Sequence, residues 1–288
     1  MDLSRYVRPL RPPRARRRPR VAFVLSGGGV LGAVHVGQLY ALIEAGIIPD
    51  VVVGTSVGAL NAAAVAADPS RKGLDLLRDA WLDLKGEDLF PGSRMQRAWH
   101  FVARGDHLYP NDGIRALVDK LPAQTFEELI RPLSVVAANL RTGREHYFES
   151  GALAPALLAS TALPSIFPPV LVGGELYVDG GVVNNVPISR AVALGARQIY
   201  VLTCAGPIPR PREIRRPLDV LLQAFAHSRA ARIERDLELY GSAASILVLD
   251  APAPTSVRFN DMSHTARLIE KGYEAARAQL VPSDVAAL

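Results

Sequence analysis

Apolar runs of two kinds alternate along the chain. Val21-Ala22-Phe23-Val24-Leu25 is a short continuous run of the sort buried on both faces of a sheet. After it comes Leu31–Ala45, where apolar positions return at helical spacing up to Gly46, a residue suited to ending a helix. The rhythm repeats with a strand over Asp50–Val53 and a helix over Val57–Ala67 that Asp68-Pro69 closes. Further on, Ala152–Ala159 predicts a helix, and Val170–Val172 with Glu175–Val178 predicts a hairpin around Gly173-Gly174. Ile188–Leu194 predicts a helix stopped by Gly195, and Gln198–Thr203 the next strand. A long helix carries Leu218, Leu221, Leu222, Phe225, Ile233, Leu237 and Tyr240 on one face. Ser245–Leu249 predicts a last strand, and Ser263–Leu280 a closing helix with Ser263 as its N-cap. Strands alternating with helices imply an α/β fold of three layers, a mainly parallel sheet between helices.

Two stretches interrupt this order. Residues 86–110 mix Phe90, Trp99, Phe101 and Tyr109 with Arg94, Arg97 and Arg104, which suits either a lipid–water boundary or a partly buried subdomain. Residues 205–217 are rich in Pro and Arg and read as a surface loop. The expected organisation is a disordered tail over 1–20, a core domain over 21–205, and a helical extension over 206–288 packed on the same domain.

Charge sharpens that division. The 288 residues carry a net charge of +5, yet residues 1–20 hold eight arginines against Asp2 alone. The basic character therefore belongs to the tail, either a solvated extension or a contact for anionic lipid headgroups. No recognition motif accompanies it, so nucleic acid is not an expected partner. Cys204 is the single cysteine, which excludes an internal disulfide and fits a reducing compartment. The arginines and the apolar run after them imitate a signal peptide, but three glycines, His35 and Gln38 break the run. The expected location is cytoplasmic, soluble or peripheral to the inner face of a membrane.

The chemistry gathers at turns. Gly54-Thr55-Ser56-Val57-Gly58 places a serine between two glycines where a strand passes into a helix, a turn that pushes a hydroxyl outward. Taken alone the pattern is also an ordinary strand–helix turn. Ser26-Gly27-Gly28-Gly29-Val30-Leu31-Gly32 offers backbone N–H groups at a helix start, where negative charge is favoured. The same glycines match a dinucleotide fingerprint, but the second strand ends in a serine and no carboxylate stands where a ribose needs one.

A nucleophilic serine needs a base. Of the six histidines, at 35, 100, 107, 146, 227 and 264, His107 and His146 have no partner signal, His227 falls on the solvent face of its helix, and His264, at a helix start, is left for a structure to exclude. Asp179, at a strand end just before Gly180-Gly181, is the better candidate. An ordinary carboxylate is a weak base, so it would need desolvation to raise its pKa toward working pH. No cluster of ligands with metal spacing is present, and no cofactor is expected.

These residues carry a resemblance. Gly27-Gly28-Gly29-Val30-Leu31-Gly32, Gly54-Thr55-Ser56-Val57-Gly58 and Asp179-Gly180-Gly181, in that order, resemble the patatin family of lipid acyl hydrolases. Ser160–Pro169 is similar to the family's block before the aspartate, and Asn184-Asn185-Val186-Pro187 to the block after it. Asp-Gly-Gly stands where many members have Asp-Gly-Ala. The resemblance covers about residues 20–205. It implies a Ser–Asp dyad without histidine: Ser56 as nucleophile, Asp179 as proton acceptor, and Gly27, Gly28 and Gly29 as oxyanion donors. Gly32 would allow close packing. The implied activity is hydrolysis of fatty-acyl esters of phospholipids or related lipids. A non-lipid carboxylesterase, a thioesterase or an acyltransferase could use the same residues, and so could a regulatory protein with a vestigial site.

Overall fold

The computed structural model describes residues 20–91, 107–204, 217–251 and 260–280. The tail ahead of Arg20, most of the 86–110 stretch and the 205–216 segment lie outside the described residues. So do the side chains of Leu218, Leu221, Leu222 and Phe225.

An eight-stranded sheet forms the centre: β1 Val21–Leu25, β2 Val51–Thr55, β3 Leu133–Asn139, β4 Glu145–Phe148, β5 Val170–Val172, β6 Glu175–Asp179, β7 Gln198–Leu202 and β8 Ser245–Leu249. β3, β2, β1, β7 and β8 lie side by side and parallel. β4 and β6 run antiparallel to β3, and β5 antiparallel to β6, so the sheet is mixed. The parallel strands are apolar almost throughout because helices cover both faces.

On one face lie α1 Ala33–Glu44, α2 Val57–Ala67, α3 Arg71–Asp83, α4 Asp112–Val118 and α5 Leu153–Ser160, together with α8 Thr265–Gln279. They pack on Phe23, Leu25, Val52, Val135, Leu202 and Leu249. On the other face lie α6 Ile188–Ala193 and α7 Pro217–Tyr240, packed on Ala22, Val24, Val53, Val136, Ile199 and Val201. α7 seats through Ile233, Leu237 and Tyr240, and its Arg232 bridges Glu145 at 2.9 Å and Asp236 at 3.2 Å.

The register of β3 determines what lies at the sheet's carboxyl end. A strand has only two edges. β4 pairs along one edge of β3, from Val135 to Ala138. The other edge is shared: β2 pairs with Leu133–Val136, its Thr55 opposite Val136, and β6 takes over at Ala137, which faces Asp179. β2 and β6 therefore meet end to end on one edge of β3, pointing at each other.

The predicted strands and helices are present with bounds shifted by a residue or two. Gly173 and Gly174 both have positive φ, as a two-residue hairpin turn requires. The predicted cap differs. The closing helix begins at Thr265 after His264, and Ser263 instead donates its backbone N–H and hydroxyl to Asp261. His264 takes the cap position, so Ser263 stands one residue too early for its oxygen to receive a helix N–H and joins a local turn instead.

α1 and α8 approach so closely that their backbones touch through Gly37 and Gly272. A Cβ on Gly37 would stand 2.0 Å from Ile269 O, and one on Gly272 would stand 2.4 Å from Val34 O. Backbone cannot step aside as a side-chain tip can, so Gly37→Ala is expected to destabilise the fold by about 1–3 kcal/mol. In a chain of this size that lowers the melting temperature by roughly 2–4 °C per kcal/mol. Thermal denaturation checks it, and a Gly37→Ala protein that melts with the wild type would refute the close approach.

Candidate active site

The end-to-end meeting of β2 and β6 places Ser56, the residue after Thr55, against Asp179. Ser56 Oγ donates a hydrogen bond to Asp179 Oδ2 at 2.6 Å. The other carboxylate oxygen accepts from the Gly181 N–H at 2.7 Å. Asp179 is 3% exposed. Burial pushes its pKa up to about 6, against the opposing pull of the Ser56 hydroxyl and the Gly181 amide. The Gly180 backbone lies directly on the β2–β3 junction, where a Cβ would sit 2.3 Å from Val136 O. A larger residue would lift the aspartate away from the serine.

Ser56 has φ 56° and ψ −130°, a conformation that L residues rarely adopt and that costs about 1–3 kcal/mol. The surroundings hold it there. The Ser56 N–H donates to Ser160 Oγ at 2.9 Å, and that hydroxyl donates in turn to Val136 O at 2.6 Å. On the carbonyl side, Ala59 N–H donates to Ser56 O at 2.8 Å and begins α2. The flanking glycines make the turn geometrically possible. A Cβ on Gly54 would lie 2.5 Å from Gly58 O, and one on Gly58 would lie 2.3 Å from Leu25 O. α2 thus starts in backbone contact with the ends of β1 and β2, and its positive end faces Ser56.

The glycine stretch passes beside the serine as Gly27-Gly28 and a 3₁₀ turn over Gly29–Gly32. Gly27 is latched. Its N–H donates to Asn185 O at 3.2 Å, and Asn185 Nδ2 donates to Gly27 O at 3.3 Å. Of the three glycines expected from sequence as donors, Gly27 therefore already has its amide engaged. The N–H groups of Gly28 and Gly29 have no acceptor among the described residues. Cys204 lies below the stretch, its Sγ 3.2 Å from Gly27 O. Gly32 packs against Val57, as close packing there requires.

The segment after Asp179 ties the parts together. Asn184 O accepts from Thr55 Oγ1 at 2.9 Å, and Asn184 Nδ2 reaches Glu145 at 3.0 Å and Ser189 at 3.2 Å. One short stretch therefore fixes the residue before Ser56, the glycine loop and the turn that comes after Asp179. These contacts leave only one trace in the sequence, the Asn184-Asn185 pair itself. Nothing in it singles out Ser160.

No described histidine hydrogen-bonds to Ser56 or Asp179. His35 is fully buried, 3.3 Å from Asn61, and burial lowers its pKa to about 3. His146 packs on Phe148 and Tyr177, His227 is exposed, and His264 stands beside Asp261. His107 bridges to Ser165. His100 lies outside the described residues. Among the described residues no group of three His, Cys, Asp or Glu could hold a metal ion. No described helix is long and apolar enough to cross a membrane.

The patatin-like phospholipase family matches residues 23–192, more than half of the chain, and the chain belongs to that family. Lysophospholipase NTE1 of Mycosarcoma maydis is 28% identical over 189 residues, which are 63% of this chain and 9% of that protein. An uncharacterized NTE family protein of Mycobacterium bovis is 32% identical over 170 residues, 58% of this chain and 27% of that protein. The chain thus spans less than a third of the length of either relative. The crystal structure of VipD from Legionella pneumophila shares the fold, with a TM-score of 0.50 at 15% identity over 91% of this chain and 67% of that one.

The Asp179 environment has a consequence for stability. A carboxylate with a pKa near 3.9 unfolded and about 6 folded binds its proton more tightly in the native state. Stability is therefore lost as pH rises from about 4 to 6, and above 6 the full penalty of about 2–3 kcal/mol applies. Asp179→Asn removes the charge, so it is expected to stabilise the fold at pH 8 and to make little difference at pH 4. Urea denaturation at both pH values checks this, and equal effects at the two would contradict it.

Proposed function

We propose that this member of the patatin-like phospholipase family hydrolyses fatty-acyl esters of lipids, with Ser56 as nucleophile and Asp179 as the base that serves it. The observation that carries the reading is the 2.6 Å hydrogen bond from Ser56 Oγ to a buried aspartate whose pKa lies near 6. Such a carboxylate is ionised at neutral pH yet basic enough to accept a proton in the transition state.

As Ser56 Oγ attacks the ester carbonyl, its proton passes to Asp179. The carbonyl oxygen becomes an oxyanion, which the Gly28 and Gly29 N–H groups at the start of the 3₁₀ turn stabilise in this reading. Collapse breaks the bond to the alcohol, Asp179 returns its proton to the leaving oxygen, and the acyl group stays on Ser56. Water then attacks the acyl-enzyme while Asp179 takes its proton. Fatty acid departs and the proton returns to Ser56. The strained conformation of Ser56 is held in advance by Ser160, Val136 and α2, so the hydroxyl needs no reorganisation at the moment of attack.

The lipid substrate is supported by the family and by relatives whose names are lysophospholipases. The arginines of residues 1–20 suit a peripheral contact with anionic headgroups.

Ester hydrolysis tests the reading. Ser56→Ala is expected to lose about 10⁴-fold or more of kcat on p-nitrophenyl esters and on lysophospholipid alike. Asp179→Asn is expected to lose about 10²–10⁴-fold. Activity retained by Ser56→Ala would refute the mechanism, and hydrolysis of p-nitrophenyl esters with none of lipid would refute the substrate class. Asn185→Ala, which removes the side-chain half of the latch on Gly27, is expected to lower kcat by about 10–100-fold with KM little changed, as for a weakened oxyanion site. The steps use no metal ion, so activity is expected to persist in EDTA.

A further inference from the structure

The sheet's carboxyl end carries a feature that the proposed chemistry leaves unused. The register that faces Ala137 with Asp179 continues outward: Leu140 N–H donates to Leu176 O at 2.8 Å, and Leu176 pairs with Leu171. Directly opposed residues point to the same face of a sheet, so these three leucines form one row across the end of β3, β6 and β5. They are 52%, 44% and 66% exposed, respectively.

The row lies on the face that α6 and α7 cover lower down, since Val178 and Val136 share its parity along the strands. Beyond that cover, among the described residues, these leucines are exposed. Leu176 is three residues from Asp179 on the same strand, about 10 Å away along the chain. Val182, in the turn after Asp179, is 38% exposed as well. The apolar row thus stands at the carboxyl end of the sheet that also carries Ser56, on the face opposite the Asp179 side chain.

Its rim is cationic. Arg141 and Arg144 occupy the turn after Leu140, both exposed. Glu175 answers Arg141 at 2.7 Å, which leaves the turn with a net positive charge. Exposed leucines beside a turn whose Arg144 is not matched by an ion pair among the described residues suit an anionic bilayer surface, apolar below and phosphate at the headgroup level. A second copy of the chain is matched less well. β5 offers only three residues for strand pairing, and a partner would have to meet the same arginines.

We propose that the Leu140–Leu176–Leu171 row, with Arg141 and Arg144, seats the protein on the surface of an anionic lipid bilayer and holds the Ser56 end of the sheet at that surface. This rests on the lipid-hydrolase reading for its purpose, though the binding itself does not require turnover.

The test uses the full chain carrying Ser56→Ala, so that vesicles stay intact, with and without Leu171→Asp and Leu176→Asp. Co-sedimentation with phosphatidylcholine–phosphatidylglycerol vesicles is expected to weaken about tenfold or more in the leucine variant. Arg144→Glu should weaken binding to these vesicles and leave binding to pure phosphatidylcholine unchanged. In the Ser56 protein, the leucine variant should lose vesicle-lipid hydrolysis by a similar factor and keep hydrolysis of soluble p-nitrophenyl butyrate. That soluble ester separates the two claims: if the wild type fails to cleave it, the catalytic reading falls while sedimentation still judges the surface. Undiminished sedimentation of the leucine variant would overturn the proposal. So would a wild-type dimer in size-exclusion chromatography that the leucine substitutions dissociate, which would make the row a contact between copies.

Discussion

Everything at the candidate site depends on one shared strand edge. β3 accepts β2 along its first half and β6 along its second, so two strand ends point at each other across a single peptide step, Thr55 opposite Val136 and Asp179 opposite Ala137, and Ser56 meets Asp179 across 123 residues of sequence. The serine hydroxyl and the carboxylate are brought together by backbone register, before any side chain chooses a rotamer. Ladder hydrogen bonds on both sides make that register costly to change, because a slip of one residue would turn Asp179 to the opposite face.

Register alone would not produce a basic carboxylate. Asp179 is sealed among Ser56, Gly181 and the block from Ser160 to Ala162, whose Ala162 O receives the Asp179 N–H at 2.9 Å. The same burial that destabilises the charged form raises its pKa into the range useful at neutral pH. The strained Ser56 has a similar logic. Its conformation costs free energy that the Ser160 hydroxyl, the first turn of α2 and two close backbone approaches at Gly54 and Gly58 offset. Stability is lost locally where chemistry is proposed, while the large apolar core on the α1 side of the sheet supplies it elsewhere.

The features legible in the sequence are local. Gly54, Ser56 and Gly58 announce a tight strand-to-helix turn, and Asp179-Gly180-Gly181 a carboxylate presented at a strand end, because such turns need particular residues at fixed offsets. The strand that joins them is not legible. Leu133–Asn139 is apolar almost throughout, and its alanines give no period that separates a buried strand from a helix. Ser160 and Asn185 are invisible as positioning residues for a related reason: their partners lie 104 and 158 residues away. The glycine stretch reads as a source of amides, but only the fold shows that Asn185 already occupies the Gly27 amide. Ser263 looks like a cap in sequence, yet the helix begins one residue later, after His264, and the serine joins a turn with Asp261.

If Asp179, held near pKa 6 by burial, serves as the base, its ionisation controls the reactivity of Ser56. The most direct test is the rate at which a fluorophosphonate labels Ser56 as a function of pH, monitored by intact-protein mass spectrometry. The expected rate rises through a single step with a midpoint near pH 6 and flattens above pH 7, since the ionised form of Asp179 is the one that would accept the serine proton. Asp179→Asn should abolish the step and leave slow labelling at every pH. A wild-type rate without a step near pH 6, or a step that survives Asp179→Asn, would contradict that role for Asp179.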